Sequence, residues 1–292
     1  DSMKIFILGM GHVGKALATK LRSQGHQITG TTTTPEKVDG LREYADEVFV
    51  LKGSETEKVQ AAAANCDAIV VTVAPNIRNT RTREERETEY HEVLEKSCMS
   101  AAASSPRVIF LSSFSVYGNG GTGSAAIDEQ TPTANHEEPS SRYYQAAERA
   151  VLGATQGCVL RFPDMYGAPG DMSFTQRVKM AHEYFGGKVI FGAGAPLYCI
   201  HFEDVVASVK HAIDKNLSGT FNVCDNDNLP YTNKQVFDAI TDLEGLTRLE
   251  YLDQIQAPNR KISAQKIYDT GYQVEHGDPN ASLVEASQAK DS

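Results

Sequence analysis

The chain has 292 residues, 40% of them hydrophobic, enough to bury one large α/β core or a core with a smaller lobe, and too apolar for a disordered polypeptide. A formal net charge of −10 repels phosphate backbones and anionic lipid surfaces, so neither nucleic acid nor membrane is an expected partner. Five cysteines (Cys66, Cys98, Cys158, Cys199, Cys224) contain no C-x-x-C pair, which suits a reducing, cytoplasmic setting; an organelle reached after loss of a transit peptide stays open.

The first strand is MKIFILG, a continuous apolar run of the kind a parallel strand needs when both its faces are buried. In ILGMGHVGKAL the glycines Gly9, Gly11 and Gly14 form G-x-G-x-x-G between that strand and an amphipathic helix over 12–24. The first glycine permits a tight turn, the second lets the backbone approach a pyrophosphate, and the third lets helix and strand pack closely. His12 and Val13 belong to the same loop and join it as cofactor-binding candidates.

A second strand follows at 26–31. An NAD-preferring site places Asp or Glu near its end, roughly twenty residues after the glycines, to accept from the ribose hydroxyls. Here the chain reads Gly30-Thr31-Thr32-Thr33-Thr34-Pro35-Glu36-Lys37. The hydroxyls of Thr31, Thr32 and Thr33 and the ammonium of Lys37 suit a 2′-phosphate, so NADP is favoured over NAD; ordinary loop residues are the alternative.

A short helix at 35–42, a strand at 47–51 and an Ala-rich helix at 55–65 lead to DAIVVTVAP, a fourth buried strand whose end brings Val73 and Ala74 toward the cofactor. The charged helix at 81–96 carries Tyr90, Val93 and Leu94 at helical spacing, one docking stripe on a solvated helix. RVIFLSSF (107–114) is a fifth strand, a turn-rich loop follows, and helix 142–152 precedes the sixth strand, CVLRF. Strands alternating with helices in this way predict a Rossmann-like, doubly wound parallel sheet. Residues 1–162 are read as the dinucleotide-binding domain and 163–292 as a smaller substrate-binding lobe interleaved with the last strands.

The chain carries, in this order, SSFSVYG (112–118), DEQTP (128–132), LRFPDMYGAPGD (160–171), IHFEDVVASVKHAI (200–213) and GTFNVCDN (219–226). With the glycine loop, these strings and their spacing resemble the NAD(P)-dependent epimerase/dehydratase family, the extended branch of the short-chain dehydrogenase/reductases, and its atypical members in particular. The resemblance implies that Ser113 hydrogen-bonds a substrate carbonyl or hydroxyl. It also implies a Tyr-x-x-x-Lys pair on the next helix, the tyrosine exchanging a proton with the substrate oxygen and the lysine lowering its pKa.

The chain departs from that pattern. Its segment 139–149 is PSSRYYQAAER. Counting from Pro139 puts Tyr143 and Ala147 at the two places; counting from Glu148 puts Ser140 and Tyr144 there. Neither register holds a lysine, and a tyrosine without a cation keeps a pKa near ~10 and is a reluctant base. Tyr143 and Tyr144 stand as catalytic candidates, with half-buried packing as the alternative.

By the same resemblance Pro163 packs on the nicotinamide amide, and Ser115, Arg161, Met172, Phe174 and Arg177 contact the substrate. His201 and Asp204 match the family's I-H-x-x-D-V stretch. Asp204 suits a helix N-terminus, and no metal is expected because no Cys or His is spaced to join His201. Relatives dimerise through two helices, for which 81–96 and 142–152 are the counterparts, so a monomer or a homodimer is expected. The preferred function is an NADP(H)-dependent oxidoreductase or epimerase-like enzyme acting on a small polar carbonyl or hydroxyl compound such as a sugar nucleotide. The missing lysine keeps a second reading in play, a non-catalytic NADP(H)-binding sensor or scaffold.

Overall fold

In the computed structural model of the chain, which describes residues 1–134 and 138–291, strands and helices alternate from the start. β1 (Lys4–Leu8) leads into α1 (His12–Ser23), β2 (Gln27–Thr32), the short α2 (Val38–Leu41), β3 (Glu47–Val50), α3 (Thr56–Ala62) and β4 (Ala68–Val71). Next come α4 (Arg83–Glu89), a π-helical segment over Tyr90–Glu95, α5 (Lys96–Ser104), β5 (Arg107–Ser113), α6 (Pro139–Leu152) and β6 (Gln156–Phe162). The remainder holds β7 (Asp164–Tyr166), α7 (Phe174–Tyr184), β8 (Lys188–Val189), β9 (Cys199–His201), α8 (Phe202–Asp214) and β10 (Gly219–Asn222). It ends with α9 (Asn233–Glu244), β11 (Glu250–Tyr251), α10 (Gln265–Tyr268) and α11 (Ala281–Lys290).

Seven strands form one sheet in the order β10-β6-β5-β4-β1-β2-β3, and β3 through β5 pair in parallel. This is the Rossmann-like arrangement, and its strand order reverses beside β1, so the crevice for a ligand opens at the carboxyl end of that strand. The apolar runs explain the layering. Ile5, Phe6, Ile7 and Leu8 of β1 and Ala68 to Val71 of β4 are all buried, as strands covered by helices on both faces must be. One core cluster joins Phe6, Leu8 and Val71 of these strands to Leu94, Cys98, Phe110, Ala147 and Val159.

Of the boundaries that differ from the sequence expectation, two have a clear physical reason. The helix expected to stop at 96 runs on through α5, because Ser97, Cys98, Ser100 and Ala101 are small enough to be buried against neighbouring elements although they break the apolar stripe. α6 starts at Pro139 rather than 142; proline at the first turn loses no hydrogen bond and has its φ already set for a helix.

The chain divides into two compact units: Asp1–Val116, Asn135–Arg161 and Val205–Phe221 form one, and Tyr117–Ala134, Phe162–Asp204 and Asn222–Ser292 form the other. The first contains the sheet. The second is built on its own core of Phe174, Val178, Phe237, Ile240 and Val284 from α7, α9 and α11, and on a parallel pair of β7 with β9. Capping boxes start two of its helices, Ser173 with Gln176 at α7 and Thr232 with Gln235 at α9. Among the described residues no helix is long and apolar enough to cross a membrane.

Candidate functional site

The glycine loop lies between β1 and α1, and each glycine answers a different demand. Gly9 has φ +102°, where an L side chain is strained, and a Cβ there would meet Val73 Cγ1 and Val73 N at 3.2 Å. A Cβ on Gly14 would stand 2.7 Å from the Gly9 carbonyl oxygen, so helix and strand can be this close only with glycine. A Cβ on Gly11 would meet nothing within 4 Å. That residue is glycine for no reason internal to the protein, and it lies exposed at the mouth of the loop.

Gly11 is also the N-cap of α1 and offers no side-chain cap, while the first turn carries no acidic side chain. The first N–H groups of α1 and the positive end of its dipole therefore face an open space beside a bare backbone, which fits an anionic pyrophosphate. His12 is exposed at the start of the helix and Val13 half-buried; Val73 is half-buried and Ala74 exposed just past β4. These residues border one loop end of the sheet, where a dinucleotide would be held.

Past β2 the threonines part company. Thr31 is buried and its hydroxyl accepts from Gly9 N–H at 3.0 Å, so it holds the loop from behind. The Thr32 hydroxyl accepts from Thr34 N–H at 3.1 Å in a tight turn. Thr33 and Lys37 are exposed. A hydroxyl and a cation are thus presented there, with Glu36 next to the lysine in sequence.

At the carboxyl end of β5, Ser112 and Ser113 point to different duties. Ser112 is buried and donates to Glu148 Oε2 at 2.5 Å; the same carboxylate takes Arg161 Nε at 3.0 Å and Nη2 at 2.7 Å. This buried fork ties β5, α6 and β6 together and commits the Arg161 guanidinium to Glu148. Ser113 is half-buried, and its Oγ accepts from Ser115 N–H at 3.1 Å, which leaves the hydroxyl proton to donate elsewhere.

The face that α6 turns toward these serines carries Ser140, whose Oγ donates to Ser115 Oγ at 3.1 Å. Tyr143 instead stacks on Tyr90 with ring centroids 6.2 Å apart and 2° between planes, and Arg142 Cζ lies 5.2 Å from the Tyr143 ring centroid. Tyr144 stacks on Phe110 at 6.1 Å and meets Tyr90 edge-on at 6.3 Å. Ala147 is fully buried in the core. Ser140 thus meets Ser115 just beyond β5, while Tyr143 and Tyr144 pack on aromatic rings and Ala147 on the core.

Tyr90 enters from the π-helical segment and was legible in the sequence only as a packing residue. Burial pushes its phenol pKa up. A π-turn inside an α-helix is rare and is frequent at functional sites, which is the one signal that marks it.

In the second unit Pro163 is half-buried between β6 and β7, Met172 is half-buried ahead of α7, and Phe174 belongs to that unit's core. The Arg177 guanidinium lies 4.7 Å from the Phe174 ring centroid. His201 does have a companion: His276, some seventy residues later, stacks on it at 3.8 Å with 7° between rings, and Glu203 joins them. An imidazole coordinates in its own ring plane, so two parallel stacked rings do not aim both lone pairs at one ion. Asp204 accepts instead from Glu275 N–H and His276 N–H at 3.0 Å each, fastening the chain near its C-terminus to the start of α8.

Comparison with known proteins agrees with this frame. The family described as the NAD dependent epimerase/dehydratase family matches residues 5–224. Protein YeeZ of Escherichia coli strain K12 is 28% identical over 230 residues, 76% of this chain and 77% of YeeZ. Among solved structures, the Bordetella bronchiseptica enzyme WbmH in complex with NAD+ superposes with a TM-score of 0.73 at 16% identity, covering 99% of this chain and 97% of WbmH. The dTDP-glucose 4,6-dehydratase of Bacillus anthracis in complex with NAD gives a TM-score of 0.71 at 18% identity, over 99% and 96% of the two chains. At such identities these two structures speak for the fold alone.

Proposed function

The chain belongs to the NAD dependent epimerase/dehydratase family, and on that premise we propose that it is an NADP(H)-dependent oxidoreductase or epimerase-like enzyme acting on a small polar carbonyl or hydroxyl compound. The observation that carries the reading is the bare Gly11 backbone facing open space at an uncapped helix N-terminus, a cradle made for a dinucleotide pyrophosphate. Thr33 and Lys37 would hold the 2′-phosphate, with Thr31 and Thr32 shaping the turn behind them. A sugar nucleotide is the favoured substrate class, in line with the dTDP-glucose dehydratase that shares the fold.

When bound, a nicotinamide dinucleotide supplies hydride transfer to or from a substrate carbon. The chain's own part is to place the substrate oxygen and manage its proton. Ser113 donates its hydroxyl hydrogen to the oxygen while its Oγ accepts from Ser115 N–H. Ser115 stands beside it with Ser140 behind, a row of hydroxyls where the family pattern has a tyrosine and a lysine. The Arg161–Glu148–Ser112 fork fixes α6 against β5 and so fixes the spacing of that row; Arg161 acts by positioning. Pro163 is assigned to the nicotinamide, and Met172 and Arg177 to the substrate side, Arg177 for an anionic group.

The test is a screen of carbonyl compounds with NADPH and NADH, run on the wild-type protein and on Ser113→Ala. The expected result is oxidation of NADPH with one carbonyl class and its loss in the variant. Normal nucleotide binding with no turnover on any class would favour the second reading, a binding protein that has given up catalysis. That reading draws on one feature, the absence of lysine from the α6 segment 139–152.

A further inference from the structure

We propose that Arg260 and the glycine-rich loop 118–125 bind a phosphoryl group of the substrate; the proposal rests on the enzyme reading above and names what its substrate carries. Both parts lie in the second unit. The loop reads Gly118-Asn119-Gly120-Gly121-Thr122-Gly123-Ser124-Ala125 and begins shortly after Ser115 in the chain.

Two neighbouring side chains hold this loop. Arg260 Nε donates to the Ala125 carbonyl at 2.6 Å, and Nη1 donates to the Gly120 carbonyl at 2.9 Å and to Asn259 Oδ1 at 3.0 Å. Asn259 adds its own N–H on the Asn119 carbonyl at 3.1 Å and its Nδ2 on the Gly121 carbonyl at 3.2 Å. Gly118, Gly120 and Gly121 have φ of 57°, 87° and 76°, a path around the guanidinium that favours glycine. All these partners are neutral. Among the described residues the half-buried Arg260 has no carboxylate partner. The acids that follow the loop are engaged elsewhere, Asp128 Oδ1 by Gln130 N–H at 2.8 Å and Glu129 Oε2 by Asn222 N–H at 2.7 Å. A half-buried cation held only by neutral groups keeps its charge for an incoming anion.

The open part of the guanidinium is Nη2, which meets no acceptor among the described residues. A Cβ on Gly123 would lie 3.3 Å from Nη2, 3.9 Å from Cζ and within 4 Å of nothing else. Gly123 lies outside the left-handed region, so neither its φ nor packing elsewhere calls for glycine; the missing side chain leaves Nη2 uncovered. Thr122 to Ala125 are exposed, and their N–H groups have no acceptor among the described residues. Guanidinium hydrogens beside a run of bare N–H groups make a surface of donors alone. A phosphoryl group, richer in oxygens and in charge than a carboxylate, uses more of that surface.

The experiment uses the full chain saturated with NADP+, so that the cofactor loop is occupied, and titrates it calorimetrically at low ionic strength with UDP, inorganic phosphate and acetate. UDP is expected to bind, and Arg260→Gln to weaken it at least about tenfold with NADP+ affinity unchanged. Because that variant also releases the loop, Gly123→Ala serves as the second: it keeps the Arg260 hydrogen bonds, covers Nη2, and is expected to weaken UDP several-fold. Gly123→Ala at wild-type affinity, or no UDP binding by the wild-type protein, overturns the proposal. Lys261→Gln removes the exposed charge next door and is expected to change little; a loss equal to that of Arg260→Gln means diffuse charge alone and overturns it. Acetate bound as tightly as phosphate overturns the phosphoryl assignment. Each of these failures leaves the enzyme reading standing if NADPH is oxidised with a carbonyl compound that lacks phosphate. Failure of that reading is seen separately, as no turnover of any carbonyl compound.

Discussion

The glycine loop and the serine-facing side of α6 lie in the same unit and serve one reaction, yet they depart from the family pattern to opposite degrees. The loop keeps all three glycines, whereas α6 has no lysine and its two tyrosines stack on Tyr90 and Phe110. The difference follows from how each function is built. A pyrophosphate is held by backbone N–H groups and by room for the ligand, and only glycine grants that room. A proton is moved by side-chain hydroxyls, which any neighbouring element is able to offer, such as Ser140 of α6 against Ser115. Backbone sites tolerate little substitution; side-chain sites migrate.

The largest expected effect probes what keeps α6 in place. Arg161→Met leaves the Glu148 carboxylate buried and unpaired, and urea unfolding should show a loss of about 3–5 kcal/mol. Most of it should return when Glu148 is also replaced by leucine; a small loss in the single variant would mean that α6 is not anchored by the fork. Ser113→Ala comes next. Removing one donor to the substrate oxygen should lower kcat by roughly 10²–10³-fold while calorimetric nucleotide affinity holds. A fall in affinity of the same size would place Ser113 with the loop rather than with the proton side.

Gly14→Ala forces a methyl group against the Gly9 carbonyl and should cost about 1–3 kcal/mol of stability, measured by thermal unfolding, together with weaker nucleotide binding. If it is neutral, the loop tolerates more than the comparison allows. Tyr143→Phe should be nearly silent, within about 0.5 kcal/mol and with turnover unchanged, because the ring packs and its hydroxyl has no assigned task. A large loss of turnover would restore Tyr143 to the reacting site.

The sheet was legible in the sequence because β1 and β4 are continuous apolar runs and the glycine spacing falls between a strand and a helix. Ser113 was legible by its place at the end of β5. What the sequence concealed is tertiary. The partition of Thr31 inward and Thr33 outward depends on which hydroxyl meets Gly9 N–H, a contact across 22 residues. The choice between Tyr143 and Ser140 depends on helix phase, which two adjacent tyrosines leave undecided. Tyr90 packs on Tyr143, some fifty residues later, and the π-turn that presents it has no local sequence mark. His276 was hidden from His201 in the same way, by its distance along the chain.

The most direct test of the central claim is calorimetric titration with NADPH, NADP+, NADH and NAD+ of the wild-type protein and of Gly11→Ala. A Cβ at Gly11 touches nothing in the protein, so the variant should unfold at the wild-type temperature and any loss belongs to the ligand. The account predicts binding of the phosphorylated pair in preference to the other, and a fall of at least about tenfold in the variant, the equivalent of ~1.4 kcal/mol. No binding of any nucleotide, or equal binding by the variant, would contradict it.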